Sequence, residues 1–194
     1  MIRERQLERG EYTGDVEVLI TEKTIRERVT GLAREIAEEY NHKGENLVLV
    51  VILTGATVFH ADLIRALWRE GLEGFKTDSM ALSSYNKHET SGEPVILKDL
   101  KYPIEGEHAL VVEDIADTGY SLEAVLSILQ ERNPESIKVA AFLSKEDARM
   151  VEVPIDFLGF RIPKEWVVGY GLDSDELYRE LPFIGILHVP TPSE

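Results

Sequence analysis

Hydrophobic positions along this chain fall into two rhythms. Ile25, Val29, Leu32 and Ile36 stand three or four residues apart and draw one apolar stripe, which predicts a helix over residues 24–40. Thr24 with Glu27 fits a capping box at its start, and Thr21 is an alternative start. Leu47-Val48-Leu49-Val50-Val51-Ile52-Leu53 is instead apolar throughout and rich in β-branched side chains. Such a run suits a strand covered on both faces, as in a parallel sheet. Thr54-Gly55-Ala56-Thr57 breaks it, and Phe59, Leu63, Ala66 and Leu67 mark a second helix to about residue 69. A strand is expected over residues 75–83, and a polar loop containing Gly and Pro over 86–94. The rhythm then repeats: a short strand at Leu110-Val111-Val112, a helix over 122–129 with Leu122, Val125, Leu126 and Leu129 on one face, and a strand over 137–143. Residues 157–160, Val167-Val168 and 184–187 are short strand-like pieces. Strands alternating with helices predict an α/β fold with a parallel sheet. Ligands bind such sheets beyond the carboxyl ends of the strands, so the loops after the apolar runs are the places to look for chemistry.

A length of 194 residues suits a single domain able to bury a core. Lys and Arg number 21 against 36 Asp and Glu, a net charge of −15, which repels nucleic-acid phosphates and anionic lipid. No local basic cluster offsets it, so neither nucleic acid nor a membrane surface is expected as a partner. No apolar run approaches the roughly 20 residues of a membrane span. Met1-Ile2-Arg3-Glu4-Arg5 leads into charged sequence rather than an apolar signal core. The chain has no cysteine, which excludes disulfides, thiol catalysis and cysteine-ligated metal and agrees with a cytoplasmic location. Its five histidines show no metal-ligand spacing.

The most informative stretch is Val111-Val112-Glu113-Asp114-Ile115-Ala116-Asp117-Thr118-Gly119-Tyr120-Ser121. An apolar strand runs into two adjacent carboxylates and then a third, followed by a small hydroxyl-bearing turn that opens a helix. Free N–H groups at such a helix mouth, with hydroxyls beside them, suit a phosphate, and Gly119 lets the backbone come close. The carboxylates would repel a bare phosphate. They make sense if the ligand also carries a sugar whose hydroxyls they accept, or a Mg²⁺ that they help hold. An ordinary strand-to-helix connection with Asp or Thr as cap is the plainer reading. Two acids, a two-residue spacer and Asp-Thr-Gly after an apolar strand favour function.

This stretch resembles the phosphoribosyl-diphosphate (PRPP) signature of the type I phosphoribosyltransferases. Other blocks narrow the resemblance to the hypoxanthine and hypoxanthine-guanine phosphoribosyltransferases. Leu53-Thr54-Gly55-Ala56 with Phe59-His60-Ala61-Asp62-Leu63-Ile64-Arg65-Ala66-Leu67 is similar to their pyrophosphate loop and helix. Ser83-Ser84-Tyr85 with Thr90-Ser91-Gly92 is similar to their mobile catalytic loop. Lys145 in Phe142-Leu143-Ser144-Lys145 stands at a purine-contacting lysine. Gly159-Phe160-Arg161-Ile162-Pro163, Trp166-Val167-Val168-Gly169-Tyr170-Gly171-Leu172-Asp173 and Tyr178-Arg179-Glu180-Leu181-Pro182 resemble their C-terminal base- and pyrophosphate-binding segment.

The resemblance implies a core of about five mostly parallel strands flanked by helices, spanning residues 21–150. It also implies a small hood from the N-terminal segment and residues 151–194, and a mobile loop over 84–95. It implies purine salvage: transfer of the phosphoribosyl group from PRPP to N9 of hypoxanthine or guanine, giving IMP or GMP and pyrophosphate, with Mg²⁺ as cofactor and a homodimer or homotetramer as assembly. By the same resemblance Glu113 and Asp114 bind the ribose hydroxyls directly or through Mg²⁺, with Asp173 also at the metal. Asp117 handles a proton at the purine N7. Thr118, Gly119, Tyr120 and Ser121 cradle the 5′-phosphate. Thr54, Gly55 and Arg179 bind pyrophosphate, in a loop where relatives often hold a cis peptide. Ile115, Lys145, Trp166, Val167 and Asp173 line the purine, and Ser84 and Tyr85 head the mobile loop.

Two departures stand out: Thr54 where many relatives carry Lys or Arg, and Trp166 where they usually have Phe or Tyr. The alternatives implied by the same pocket are a xanthine-preferring transferase and a regulator that binds PRPP without catalysis.

Overall fold

The computed structural model describes residues 15–42, 44–83 and 95–188. Its centre is a six-stranded sheet in the order β4-β3-β2-β5-β6-β7. These strands are β2 (Leu47–Ile52), β3 (Lys76–Leu82), β4 (Ile96–Lys98), β5 (His108–Ala116), β6 (Ser136–Ser144) and β7 (Phe157–Arg161). β3, β2, β5, β6 and β7 run parallel, and β4 adds an antiparallel edge. The five parallel strands match the expected core. β4 escaped detection because all three of its residues are exposed, leaving no buried side to create a pattern.

The helices are α1 (Glu22–Glu39), α2 (Thr57–Arg69) and α3 (Tyr120–Gln130). Ile25, Val29, Leu32 and Ile36 of α1 are buried, as their spacing requires. Its cap is Thr21, whose hydroxyl accepts from the Thr24 N–H at 3.3 Å, so the helix begins at the alternative start, one turn before the capping box expected at Thr24. α1 and α2 bury their stripes in one apolar cluster with Leu49, Leu110, Val112, Phe142 and Phe157 of the sheet. α3 buries Leu122, Val125 and Leu129 in another cluster, with Val48, Val50, Val111 and Val139. Helices therefore cover both faces, which explains why Leu47 to Val51 had to be apolar without alternation.

A second sheet of three antiparallel strands has the order β1-β9-β8, formed by β1 (Asp15–Ile20), β8 (Val167–Val168) and β9 (Ile184–His188). Ile20, Val167 and Ile184 carry its apolar side into the same cluster as α1 and α2, joined there by Tyr170 and Leu172 from the segment after β8. The chain after residue 150 is thus divided. β7 extends the large sheet, whereas β8 and β9 make the small one, so the expected boundary at 151 moves beyond Arg161. Physically, Phe157 has an open strand edge to pair with, because Ala140 to Ser144 of β6 would otherwise be left unbonded.

Candidate active site at the sheet switch point

β3 lies on one side of β2 and β5 on the other, so the chain reverses direction across the sheet between β2 and β5. A crevice opens beyond the strand ends at such a reversal. The segments entering it here are residues 53–56 after β2 and 117–119 after β5.

Glu113 and Asp114 lie within a strand rather than in a loop after it, whereas Asp117 follows the strand. β5 continues through Ala116, and Glu113, Ile115 and Ala116 pair with Ala141, Leu143 and Ser144 of β6. The ladder uses backbone groups alone, so it carries charged side chains into the sheet's end, where hydropathy no longer signals a strand. Glu113 is buried at 8 % exposure, and its Oε2 has no hydrogen-bond partner among the described residues. Burial, and the neighbouring Asp114 charge after it, push the Glu113 carboxyl well above its usual range. Burial likewise pushes Asp114 up to about 6, against the pull of the Ile115 N–H and the Arg179 guanidinium. Two adjacent carboxyls held this way call for a cation or for hydroxyl donors.

The pyrophosphate-loop candidates lie against this pair. Leu53–Thr54 is a cis peptide. The Thr54 carbonyl accepts from the Thr57 hydroxyl at 2.6 Å and the Thr57 N–H at 3.1 Å, which fixes the loop to the start of α2. A Cβ on Gly55 would fall 1.7 Å from Asp114 Oδ2. One on Gly171, whose φ is +101°, would fall 2.1 Å from the Gly55 carbonyl oxygen. Glycine at both positions lets three chain segments meet. Arg179 joins them, donating to the Gly171 carbonyl at 2.8 Å and pairing with Asp173 and Glu176, each at 2.9 Å. Its contact with Glu176 is the ordinary surface pair, while its contacts with Gly171 and Asp173 belong to the site.

A second group gathers one strand along. Gly119, with φ +95°, caps α3 and leaves the N–H groups of its first turn, which carries Tyr120 and Ser121, facing the crevice end. Asp117 Oδ2 lies 3.1 Å from Lys145 Nζ, and the lysine is 8 % exposed. The Lys145 N–H donates to the Ala116 carbonyl at 3.0 Å, tying the end of β6 to the end of β5. Thr118 accepts at its carbonyl from the Met150 and Val151 N–H groups at 2.9 and 3.1 Å. Ile115 is half-buried against the α1–α2 cluster. In the small sheet, Val167 is buried and pairs with Ile186, while Trp166 has 61 % exposure. Ser84 and Tyr85, and Thr90-Ser91-Gly92 with them, lie outside the described residues.

Sequence reasoning gave no role to Thr57, Gly171 or Arg149, all of which shape these groups. The helix-opening Thr-x-x-Thr of residues 54–57 was a usable signal for the first, and Gly171 lies inside the Trp166-Val167-Val168-Gly169-Tyr170-Gly171-Leu172-Asp173 block. Arg149 follows a single turn of 3₁₀ helix, Glu146–Ala148, where neither periodicity nor spacing points to it.

Mg²⁺ binds oxygen ligands, usually one or two protein carboxylates completed by substrate phosphate oxygens. The unpartnered Glu113 Oε2 beside Asp114, with Asp173 across Gly171, fits such a sparse donor set. Among the described residues no cluster of three or more Asp, Glu, His or Cys gathers as a self-sufficient metal site.

Residues 20–175 match the family model for the phosphoribosyl transferase domain. The chain is 44 % identical over 173 residues to a hypoxanthine-guanine phosphoribosyltransferase of Dictyostelium discoideum, covering 88 % of this chain and 94 % of that one. It is 44 % identical over 171 residues to a hypoxanthine phosphoribosyltransferase of Escherichia coli strain K12, with the same coverage. Its fold matches a Trypanosoma cruzi hypoxanthine phosphoribosyl transferase, solved to define the role of the C-terminal region in oligomeric state and activity. That match has a TM-score of 0.84 at 36 % identity, over 93 % of this chain and 94 % of that one.

Proposed function

This chain belongs to the hypoxanthine (hypoxanthine-guanine) phosphoribosyltransferases, and from that premise we propose how its switch-point crevice transfers the phosphoribosyl group of PRPP to N9 of hypoxanthine or guanine in purine salvage. The supporting observation is the meeting of Gly55, Asp114 and Gly171 at one point, with the Asp117–Lys145 pair on the next strand end. That arrangement supplies an anion nest, sugar-binding acids and a pair of groups for a base, in the order a nucleotide requires.

The N–H groups at the mouth of α3 and the hydroxyls of Thr118, Tyr120 and Ser121 hold the 5′-phosphate. Glu113 and Asp114 receive the ribose hydroxyls, and the pyrophosphate leaves beside Thr54, Gly55 and Arg179. Mg²⁺, held by Asp114, Glu113 or Asp173 together with substrate oxygens, would neutralise charge on the departing pyrophosphate. Arg179, from the segment against Gly171, supplies a cation beside the loop where Thr54 has none. The purine lies over the β5 and β6 ends, flanked by Ile115, Trp166 and the Val167 backbone. Its O6 accepts from Lys145, and N7–H donates to Asp117, so the base takes over both ends of an existing ion pair. N9 attacks C1′, the bond from C1′ to the pyrophosphate oxygen breaks with its electron pair going to that oxygen, and Asp117 takes the N7 proton. The acids below the sugar favour its developing positive charge. An adenine amino group would turn a donor towards the Lys145 ammonium, itself only a donor, which disfavours 6-aminopurines.

We place the reaction in the cytoplasm, in a homodimer or homotetramer. Support comes from the lack of cysteine, from the absence among described residues of any helix long and apolar enough to cross a membrane, and from the T. cruzi relative studied for its oligomeric state. The test is nucleotide formation from PRPP with hypoxanthine, guanine, xanthine and adenine, with Mg²⁺ and with EDTA. IMP or GMP is expected, in Mg²⁺ only. No product from any base would refute the transfer, and product from xanthine alone would change the substrate.

A further inference from the structure

The phosphate turn after β5 is not braced by its own helix alone. Arg149 Nη2 donates to the Ala116 carbonyl at 3.2 Å and to the Ser144 hydroxyl at 2.8 Å. The Ala116 carbonyl immediately precedes Asp117, and it also accepts from the Lys145 N–H. The next backbone groups of the same arginine segment, the N–H groups of Met150 and Val151, hold the Thr118 carbonyl. A Cβ on Gly119 would stand 3.2 Å from Arg149 Cδ and 2.4 Å from the Val151 carbonyl, so this segment lies directly behind the turn. Ser144, the anchor, is 1 % exposed.

The charge of this arginine is unanswered. Among the described residues Arg149 makes no ion pair, although the chain carries a net −15 and both neighbouring cations are paired: Lys145 with Asp117, and Arg161 with Glu146. Its Nε is buried and has no partner among those residues. A half-buried guanidinium held only by a carbonyl and a hydroxyl keeps part of its desolvation cost uncompensated. An anion on the other side of a thin backbone turn would offset it.

Granting the phosphoribosyl transfer proposed above, we infer that Arg149 is a positioning residue for the 5′-phosphate. It fixes the turn at residues 117–119 from behind through Ala116 and Ser144, and sets positive charge beneath the anion nest. It touches neither the purine nor the reacting carbon.

The test compares ligands that differ only in the phosphate. IMP and inosine are titrated calorimetrically against the full-length wild type, Arg149→Met, Arg149→Lys and Ser144→Ala, and steady-state constants are measured for PRPP and hypoxanthine. In Arg149→Met the IMP affinity is expected to fall, and KM for PRPP to rise, by about ten- to a hundredfold, the worth of a hydrogen bond to a charged group. Inosine affinity and KM for hypoxanthine should hold, with kcat within about threefold, the pattern of lost binding that ground and transition states share. Arg149→Lys, which keeps the charge, should recover part of the loss. Ser144→Ala, which keeps the arginine but removes its anchor, should lose less than Arg149→Met. Equal weakening of IMP and inosine, or unchanged IMP binding, would overturn the assignment. If Arg149→Met does not fold, the same IMP-to-inosine comparison in the lysine and Ser144 variants decides it. A wild type that makes no nucleotide from PRPP refutes the parent reading, an outcome separate from these ratios.

Discussion

Asp117 and Lys145 lie 28 positions apart in sequence, yet they form a 3.1 Å pair because β5 and β6 are neighbours whose ends are in register at Ala116 and Ser144. The same neighbourhood makes Asp117 testable. Asp117→Asn keeps the shape but removes the proton acceptor, so kcat should fall by about 10²–10⁴ while KM for PRPP changes little; undiminished turnover would remove Asp117 from its role. Asp78 is a structural counterpart. Burial alone would raise its pKa, but N–H groups of Ser79, Lys101 and Tyr102, together with the Lys98 ammonium, outweigh that and hold it below the usual carboxylate range. A carboxyl depressed on folding stabilises the folded state above its unfolded pKa, and loses that contribution as pH falls through the folded value. Asp78→Asn should therefore cost about 2 kcal/mol at neutral pH. Urea denaturation should show the gap to wild type closing below about pH 4. A gap of constant size in acid would contradict the assignment.

At the scale of elements, the junctions are where this chain is most constrained. Gly171 and Gly74 both have positive φ, but a Cβ on Gly171 meets the Gly55 carbonyl, whereas one on Gly74 meets nothing within 4 Å. Gly74→Ala should cost about 1–2 kcal/mol of stability, the left-handed penalty, and leave activity intact. Gly171→Ala should add displacement of the loop at residues 53–56, proposed here to hold pyrophosphate, and a shift on the order of 1 Å there can cost about a hundredfold in kcat/KM for PRPP. Thermal melts and kinetics on both variants check this, and equal kinetics would mean that the loop is not held by that contact. The helices and inner strands were legible in sequence because each buries a regular stripe or a continuous run. β1 and β4 were not legible: β4 is exposed throughout, and Glu17 and Val18 of β1 are both exposed despite opposite polarity. The capping box at Thr24 also misled, since Thr21 caps the helix through the Thr24 N–H and a local motif can match in more than one register.

For the whole molecule, the two sheets share one apolar cluster, and Phe142 of β6 stands at its centre. Its ring centroid lies 5.1 Å from Phe59 of α2, 5.6 Å from Phe160 of β7 and 4.8 Å from Tyr170 beyond the small sheet's β8. Tyr170 in turn donates its hydroxyl to Asp62 of α2 at 2.8 Å. Phe142→Ala should therefore destabilise by about 3–5 kcal/mol. Near- and far-ultraviolet circular dichroism should still report one coincident transition, because among the described residues the separate cluster under the small sheet holds three buried side chains, Val168, Tyr178 and Leu187. Separated transitions would show that the small sheet melts independently.

The sequence by itself determined the alternation of strands and helices and the faces they bury, and it marked the blocks proposed here to carry phosphate, sugar and base chemistry. Those properties depend on side-chain polarity and spacing within one segment, which are local. Tertiary structure alone decided that Gly55 lies on Asp114 and beneath Gly171, that Arg179 is shared between Asp173 and Glu176, and that Arg149 stands behind the turn at residues 117–119. It also decided that Glu113 Oε2 is buried without a hydrogen-bond partner among the described residues. Such contacts join residues far apart in the chain, and they follow from strand order and register, which hydrogen bonds between backbones set with no trace in the side chains concerned.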